Sequence, residues 1–289
     1  PAIGCGCAVC TSPDPRDTRL RTAAAIEFVD PTGRPRTILI DAGPDLRQQA
    51  LRHRLTRCDA ILFTHNHVDH TFGLDEVRRF NVVQQSPVEI YAEEHTHGFL
   101  RRVYQHIFDS RANINDSFVA TLVPWTITPA TPIRLFGLSI TPIRLLHGKL
   151  PIVGFRIERD TKAAAGDAVF PLAYCTDVSA IPPESYPLLR GLRTLVLDAL
   201  RHRHHPTHLT VAQALDIAER VTRAAVTPLW KYKELLATER PAAGTLLLLR
   251  DDAESDEWKR YSALPMDSRP IELARASAHK YTFVLARAR

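Results

Sequence analysis

Short apolar runs separated by turn residues recur over roughly the first 200 positions: residues 25–29, 37–40, 60–63, 88–91, 138–145, 153–157, 172–175 and 195–197. Their length and branched aliphatic content predict strands buried in a core. Helical spacing of apolar residues instead marks residues 44–55, 74–81, 95–108 and 210–221. In the last of these Val211, Leu215, Ala218 and Val221 share one face, and Thr210 stands where an N-cap is expected. Ladders of strands interrupted by a few helices predict a mixed α/β fold, with helices covering sheets, rather than a regular βαβ repeat. No internal repeat is present. Residues 160–166, with Lys162 and three alanines, predict an exposed hairpin excursion without chemistry. From residue 251 an acidic cluster (Asp251, Asp252, Glu254, Asp256, Glu257) gives way to an Ala- and Arg-rich stretch. The expected organisation is one domain over residues 1–250 and an extension over 251–289.

Composition narrows the class. The chain has 289 residues, 45% hydrophobic and 24% charged, within the ordinary globular range. No apolar run approaches the roughly 20 residues that cross a bilayer. The first residues lack the basic and apolar segments of a secretory signal, so a cytoplasmic location and no membrane partner are expected. A net charge of +5 suits an anionic substrate but is no nucleic-acid footprint. Five cysteines, three of them at positions 5, 7 and 10, make a poor disulfide framework and a good soft-metal chelate, which points to a reducing compartment.

The strongest chemical signal is Thr64-His65-Asn66-His67-Val68-Asp69-His70, directly after an apolar run. A strand running into a tight turn can aim His65 and His67 at one point and Asp69 and His70 at another a few ångströms away, as a two-metal hydrolytic site requires. Imidazole suits zinc, iron or manganese, and the carboxylate adds a harder donor. Cys5, Cys7 and Cys10 offer three thiolates, whereas a closed zinc site takes four ligands; zinc, reduced thiols and a labile redox site all remain open readings.

His-x-His-x-Asp-His after a hydrophobic strand resembles the signature of the metallo-β-lactamase fold, an αββα four-layer sandwich. Three further motifs follow the order of that family: Ile38-Leu-Ile-Asp41-Ala-Gly-Pro-Asp-Leu-Arg-Gln-Gln49, Leu146-His147-Gly148-Lys149 and Tyr174-Cys-Thr-Asp177. Cys5-Gly-Cys7-Ala-Val-Cys10, followed by Asp14-Pro-Arg-Asp, is similar to the zinc knuckle of its phosphoribosyl 1,2-cyclic phosphate phosphodiesterase branch. The resemblance runs from residue 1 to about residue 227. It implies two divalent ions, zinc or manganese. His65, His67 and His147 would hold one, Asp69 and His70 the other, and Asp177 would bridge them. It also implies a structural zinc on Cys5, Cys7 and Cys10. Asp41 would either orient a ligand histidine or serve as a turn residue. His208 matches the position of a general acid, so Asp69 and His208 are the expected catalytic groups. His202, His204 and His205, interleaved with Arg201 and Arg203, read as a solvated basic loop or a cationic rim.

The chain departs from the branch in one place. A Thr-His-x-Ser-His segment is expected near the end of the resemblance, and the corresponding stretch reads Ala225-Val-Thr-Pro-Leu-Trp-Lys231. Both histidines are missing, and the later His279 stands in another context. The chain also begins directly at the cysteine cluster, where the branch carries a preceding strand, so a truncated or frameshifted reading frame, or a diverged member that has lost the second metal, is a further expectation. The expected activity is hydrolysis of a small, cyclic phosphodiester by a hydroxide held between the metals. The alternatives are a one-metal relative without activity, or another hydrolase of the fold: a lactonase, thioesterase or nuclease. A homo-oligomer stays open.

Overall fold

A computed structural model describes residues 3–8, 10–14, 17, 20–113, 118–160, 169–200, 202–222, 271–277 and 282–288. The expected excursion beyond residue 160, the acidic cluster, residues 225–231 and His279 lie outside the described residues. The chain divides into two compact units, Leu20–Gly137 and Pro1–Arg19 together with Leu138–Arg289.

In the first unit, β1 (Ala24–Val29), β2 (Pro35–Ile40), β3 (Ala60–Leu62), β4 (Val88–Ala92) and β5 (Leu122–Thr126) form a sheet in that order. The β1–β2 pair is antiparallel and the rest are parallel. Short β6 (Ile133–Leu135) follows. The helices are α1 (Leu46–His53), α2 (Val68–Thr71), α3 (Arg78–Gln84), α4 (Glu94–Val103) and α5 (Gln105–Phe108). Leu46 of α1, Phe80 of α3 and Leu100 of α4 pack against Leu39, Ile61 and Ile90 of the sheet.

The second unit holds β7 (Leu138–His147), β8 (Leu150–Arg159), β9 (Leu172–Cys175) and β10 (Thr194–Leu197). β7 and β8, ten residues each, form an antiparallel hairpin, β8 and β9 are antiparallel, and β9 and β10 are parallel. Helix α6 (Val211–Thr222) lays Val211, Ala214, Ile217, Ala218 and Val221 on Ile143, Cys175 and Leu195. Its start is a reciprocal cap: the Gln213 amide donates to the Thr210 hydroxyl at 3.2 Å, and the Thr210 amide to Gln213 Oε1 at 2.9 Å. β11 (Ile271–Ser277) and β12 (Thr282–Ala288) pair antiparallel. Two helix-bearing sheets are the components of an αββα sandwich, as expected from the strand-rich pattern.

Several element bounds differ from the sequence pattern, each for a local reason. Residues 74–81 begin as a 3-10 turn (Leu74–Val77) before α3 takes over. Residues 95–108 split at Tyr104, whose hydroxyl donates to the Thr71 carbonyl at 3.0 Å. β5 carries Pro124 and an exposed Trp125, which hid it in the pattern; an edge strand tolerates the proline. The α1 helix ends where Arg54 turns left-handed at φ 54°.

A buried ionic lock fixes the register of β2 against β3. Asp59 takes a forked pair of bonds from Arg57 at 2.8 and 2.9 Å, one from Arg36 at 2.9 Å and one from the Thr37 amide at 2.8 Å. Arg36 also reaches Asp30 at 2.8 Å and lies over the Phe136 ring. Burial pushes the Asp59 carboxyl up, but Arg57, the Thr37 amide and Arg36 outweigh it and hold it below its usual range. Asp30 is held well below its usual range by the Thr32 hydroxyl, with Arg36 adding to it against burial. Both folded carboxyls titrate below their unfolded values. Their contribution is therefore complete above the ordinary carboxylate range near pH 4 and is lost as pH falls through the depressed values. Asp59→Asn should lower the melting temperature clearly near pH 7 and progressively less as the pH falls below about 4. A gap of equal size across that range, read by circular dichroism, would show that the lock does not act through charge.

Candidate metal centre

The donor residues of the first unit sit where β2 and β3 end. After β2 the chain turns left-handed at Asp41 (φ 64°), a conformation that aspartate adopts more readily than most residues. Its carboxylate is fully buried. Oδ1 accepts the Thr64 amide at 2.8 Å; Oδ2 accepts the Thr64 hydroxyl at 2.8 Å and His70 Nδ1–H at 2.7 Å. Since the Thr64 hydroxyl spends its one proton on Asp41, its 2.9 Å contact with His65 Nδ1 must be a bond donated by the ring. Both imidazoles are thereby fixed as Nδ1–H tautomers, with the lone pair on Nε2. Their ring centroids lie 4.2 Å apart, and His67 stands 4.6 Å from His65.

Helix α2 carries Asp69 and His70, with His67 at its N-cap. Asp69 Oδ2 lies 3.5 Å from Arg21 Nη1. The helix is drawn tightly onto the β2 turn: the Ala42 amide donates to the His70 carbonyl at 2.8 Å, and a Cβ at Gly43 would overlap the Asp69 carbonyl. Only glycine permits that approach.

The second unit has its own donor set. His147 ends β7, and its Nδ1 donates to the Thr207 carbonyl at 2.7 Å. Asp177 follows β9 with φ 56°, and the Thr176 hydroxyl donates to its Oδ1 at 2.8 Å. His208 is buried two residues before the α6 cap, with Nδ1 2.6 Å from Asp198 Oδ2. His147, Asp177 and His208 each bring one donor atom to within 4.8 Å of the others. Burial pushes the Asp198 carboxyl up to about 6, against the lowering effect of His208. His202, Arg203 and His204 are exposed, whereas His205 is half-buried with its ring 4.9 Å from His208.

The three thiol sulfurs of Cys5, Cys7 and Cys10 also lie within 4.8 Å of one another, half-buried and without a disulfide. No fourth histidine, cysteine or carboxylate joins them among the described residues. The sequence pattern singled out every donor above. It missed the groups that orient them, Thr64, Asp198 and Thr207; the adjacency of Thr64 to His65 was the one available signal.

Buried imidazoles with settled tautomers, carboxylates and thiols form donor sets suited to divalent ions, and an α/β fold of two helix-bearing sheets frames them. The class is an α/β protein with candidate metal-donor sets. The family model described as the beta-lactamase superfamily domain matches residues 36–229, so the chain belongs to that superfamily, and it has the metallo-β-lactamase fold.

Among solved structures, a diphosphatase from the PhnP family is 38% identical, with a TM-score of 0.63 over 76% of each chain. An octanoyltransferase of Porphyromonas gingivalis is 33% identical over 217 residues, 75% of this chain. The match spans only 40% of that protein. The coenzyme PQQ synthesis protein B of Methylorubrum populi is 28% identical over 68% of each chain. Among the described residues, no helix is long and apolar enough to cross a membrane.

The Asp41 carboxylate should control metal retention. Asp41→Asn removes the charge that holds His70 and Thr64, and divalent-ion affinity should fall about 10- to 100-fold, read by competition with a chromophoric chelator. Unchanged affinity in a folded variant would show that His65 and His70 keep their orientation without it.

Proposed function

We propose that this chain is a metal-dependent phosphodiesterase acting on a small phosphodiester. The observation that carries this reading is the likeness, over three quarters of the chain, to the PhnP-family diphosphatase. In this reading His65, His67, Asp69, His70, His147 and Asp177 hold two divalent ions, zinc or manganese. Cys5, Cys7 and Cys10 hold a structural zinc. The hydrolytic ions, when bound, supply the Lewis acidity that offsets charge on the phosphoryl oxygens and an activated water.

The protein's own groups do the rest. Asp41 and Thr64 hold the Nδ1–H of His70 and of His65, which leaves each Nε2 as the donor atom. Asp69 is both ligand and catalytic group. His208 gives its Nε2 proton to the departing ester oxygen, and Asp198, on the opposite ring nitrogen, stabilises the imidazolium that precedes the transfer. The net positive charge of the chain favours an anionic ester.

A second reading, a relative that keeps one hydrolytic ion and no activity, is favoured by the absence of histidine from residues 225–231. Turnover of bis-p-nitrophenyl phosphate with added manganese or zinc separates the two. The enzyme reading expects turnover that His67→Ala abolishes. His208→Ala should lower kcat by about 10²- to 10⁴-fold with metal content unchanged. No turnover at any metal loading, from a folded chain holding a single hydrolytic ion, would replace the enzyme with the one-metal relative. Loss of an ion from His208→Ala would make His208 a ligand instead of an acid.

The cysteine cluster is tested separately by elemental analysis. Cys7→Ser should lose one zinc per chain while the hydrolytic ions stay. Equal zinc in both proteins would leave the three thiols as unliganded residues.

A further inference from the structure

Val68 opens α2 and Phe72 stands at its C-cap, four residues apart and 50% and 47% exposed. Phe72 lies nearly parallel to Phe99 of α4, with centroids 6.5 Å apart and 20° between the planes. Arg102, one turn further along α4, sets its guanidinium 5.4 Å from the centre of the Phe99 ring. Its neighbour Arg101 is bound to Glu94 at 2.9 Å, whereas no carboxylate pairs with Arg102 among the described residues. Val103, 38% exposed, stands beside it.

These side chains sit on a rigid base. Phe99 packs against the core of the unit, and the Tyr104 hydroxyl ties the end of α4 to the Thr71 carbonyl of α2. Val68 stands in sequence between the donors His67 and Asp69. Exposed aromatic surface contributes little to folding stability. Parallel rings beside a guanidinium that no carboxylate holds among the described residues attract planar π systems through stacking and cation–π forces.

We propose that Phe72, Phe99 and Arg102 form a stacking platform for a planar aromatic group on the alcohol side of the substrate, of the class of a purine base. The ester would then be a nucleoside phosphoester, with its phosphate directed to the donors of α2 and its base on the platform. This specificity rests on the phosphodiesterase reading above, whereas the platform itself does not. An aliphatic or sugar alcohol would find no partner there.

The test uses three probes titrated by calorimetry into the metal-loaded chain: adenosine 5′-monophosphate, ribose 5-phosphate and adenosine. The nucleotide should bind about tenfold or more tightly than ribose 5-phosphate. Phe72→Ala and Phe99→Ala should erase that gap without changing ribose 5-phosphate affinity, and Phe72→Trp should keep it. Arg102→Gln should narrow it. Unchanged circular dichroism in the variants separates lost stacking from unfolding.

Equal affinity for the two phosphates, or a gap that survives both alanine variants, overturns the platform. Adenosine binding that depends on Phe72, with ribose 5-phosphate silent, upholds the platform and removes the phosphoester reading. Silence of all three probes overturns the platform.

Discussion

One buried carboxylate organises the donor set carried by the first unit. Asp41 is fully buried, and a carboxylate in that position is tolerable only when its oxygens are met by donors. The donors it finds are the Thr64 amide, the Thr64 hydroxyl and His70 Nδ1. Each of those bonds has a further effect. The amide bond holds the chain leaving β3, the hydroxyl bond settles the tautomer of His65, and the ring bond settles that of His70. The left-handed backbone at Asp41 and the close approach of Gly43 to α2 are the local strain and packing that make the arrangement reachable.

The second unit solves the same problem with different residues. Asp198 at the end of β10 holds His208, the Thr207 carbonyl holds His147, and Asp177 follows β9 in another left-handed turn. In both units acidic groups stand just beyond the carboxyl ends of parallel strands, Asp41 after β2 in one, Asp177 and Asp198 after β9 and β10 in the other, while His147 ends the antiparallel strand β7. There the strand ladder has stopped consuming backbone groups, and the connecting turns can present side chains without giving up core packing.

Much of this was legible in the sequence because it is local. Strands such as β2 and β9 are short apolar runs, and α6 has a helical stripe with a cap residue, Thr210, at its start. The donors at positions 65, 67, 69 and 70 are crowded into one turn. Elements whose form depends on distant contacts were not legible. The break at Tyr104 answers to a carbonyl 33 residues away, and β5 is a strand only because β4 lies beside it. Helix α2 is a single turn, too short for any periodicity to show.

The same division applies within the candidate site. Which residues can donate to a metal follows from residue type and spacing, but which ring nitrogen does so follows from the partner of the other one. That partner lies 29 residues from His70 and 60 from His147. A histidine held at Nδ1 by a carboxylate is prepared equally for two tasks, since its Nε2 can offer a lone pair to a cation or a proton to a leaving group. The Asp198–His208 pair has this double competence, and His147 and Asp177 stand close enough to complete a three-donor set with it. The task it performs is therefore decided by the charge on the ring. A lone pair at Nε2 requires a neutral imidazole, whereas a proton donor requires a cation, and the Asp198 carboxylate stabilises the cation. A bound cation nearby would oppose it. The role of His208 thus depends on how many positive charges the neighbouring donors already hold.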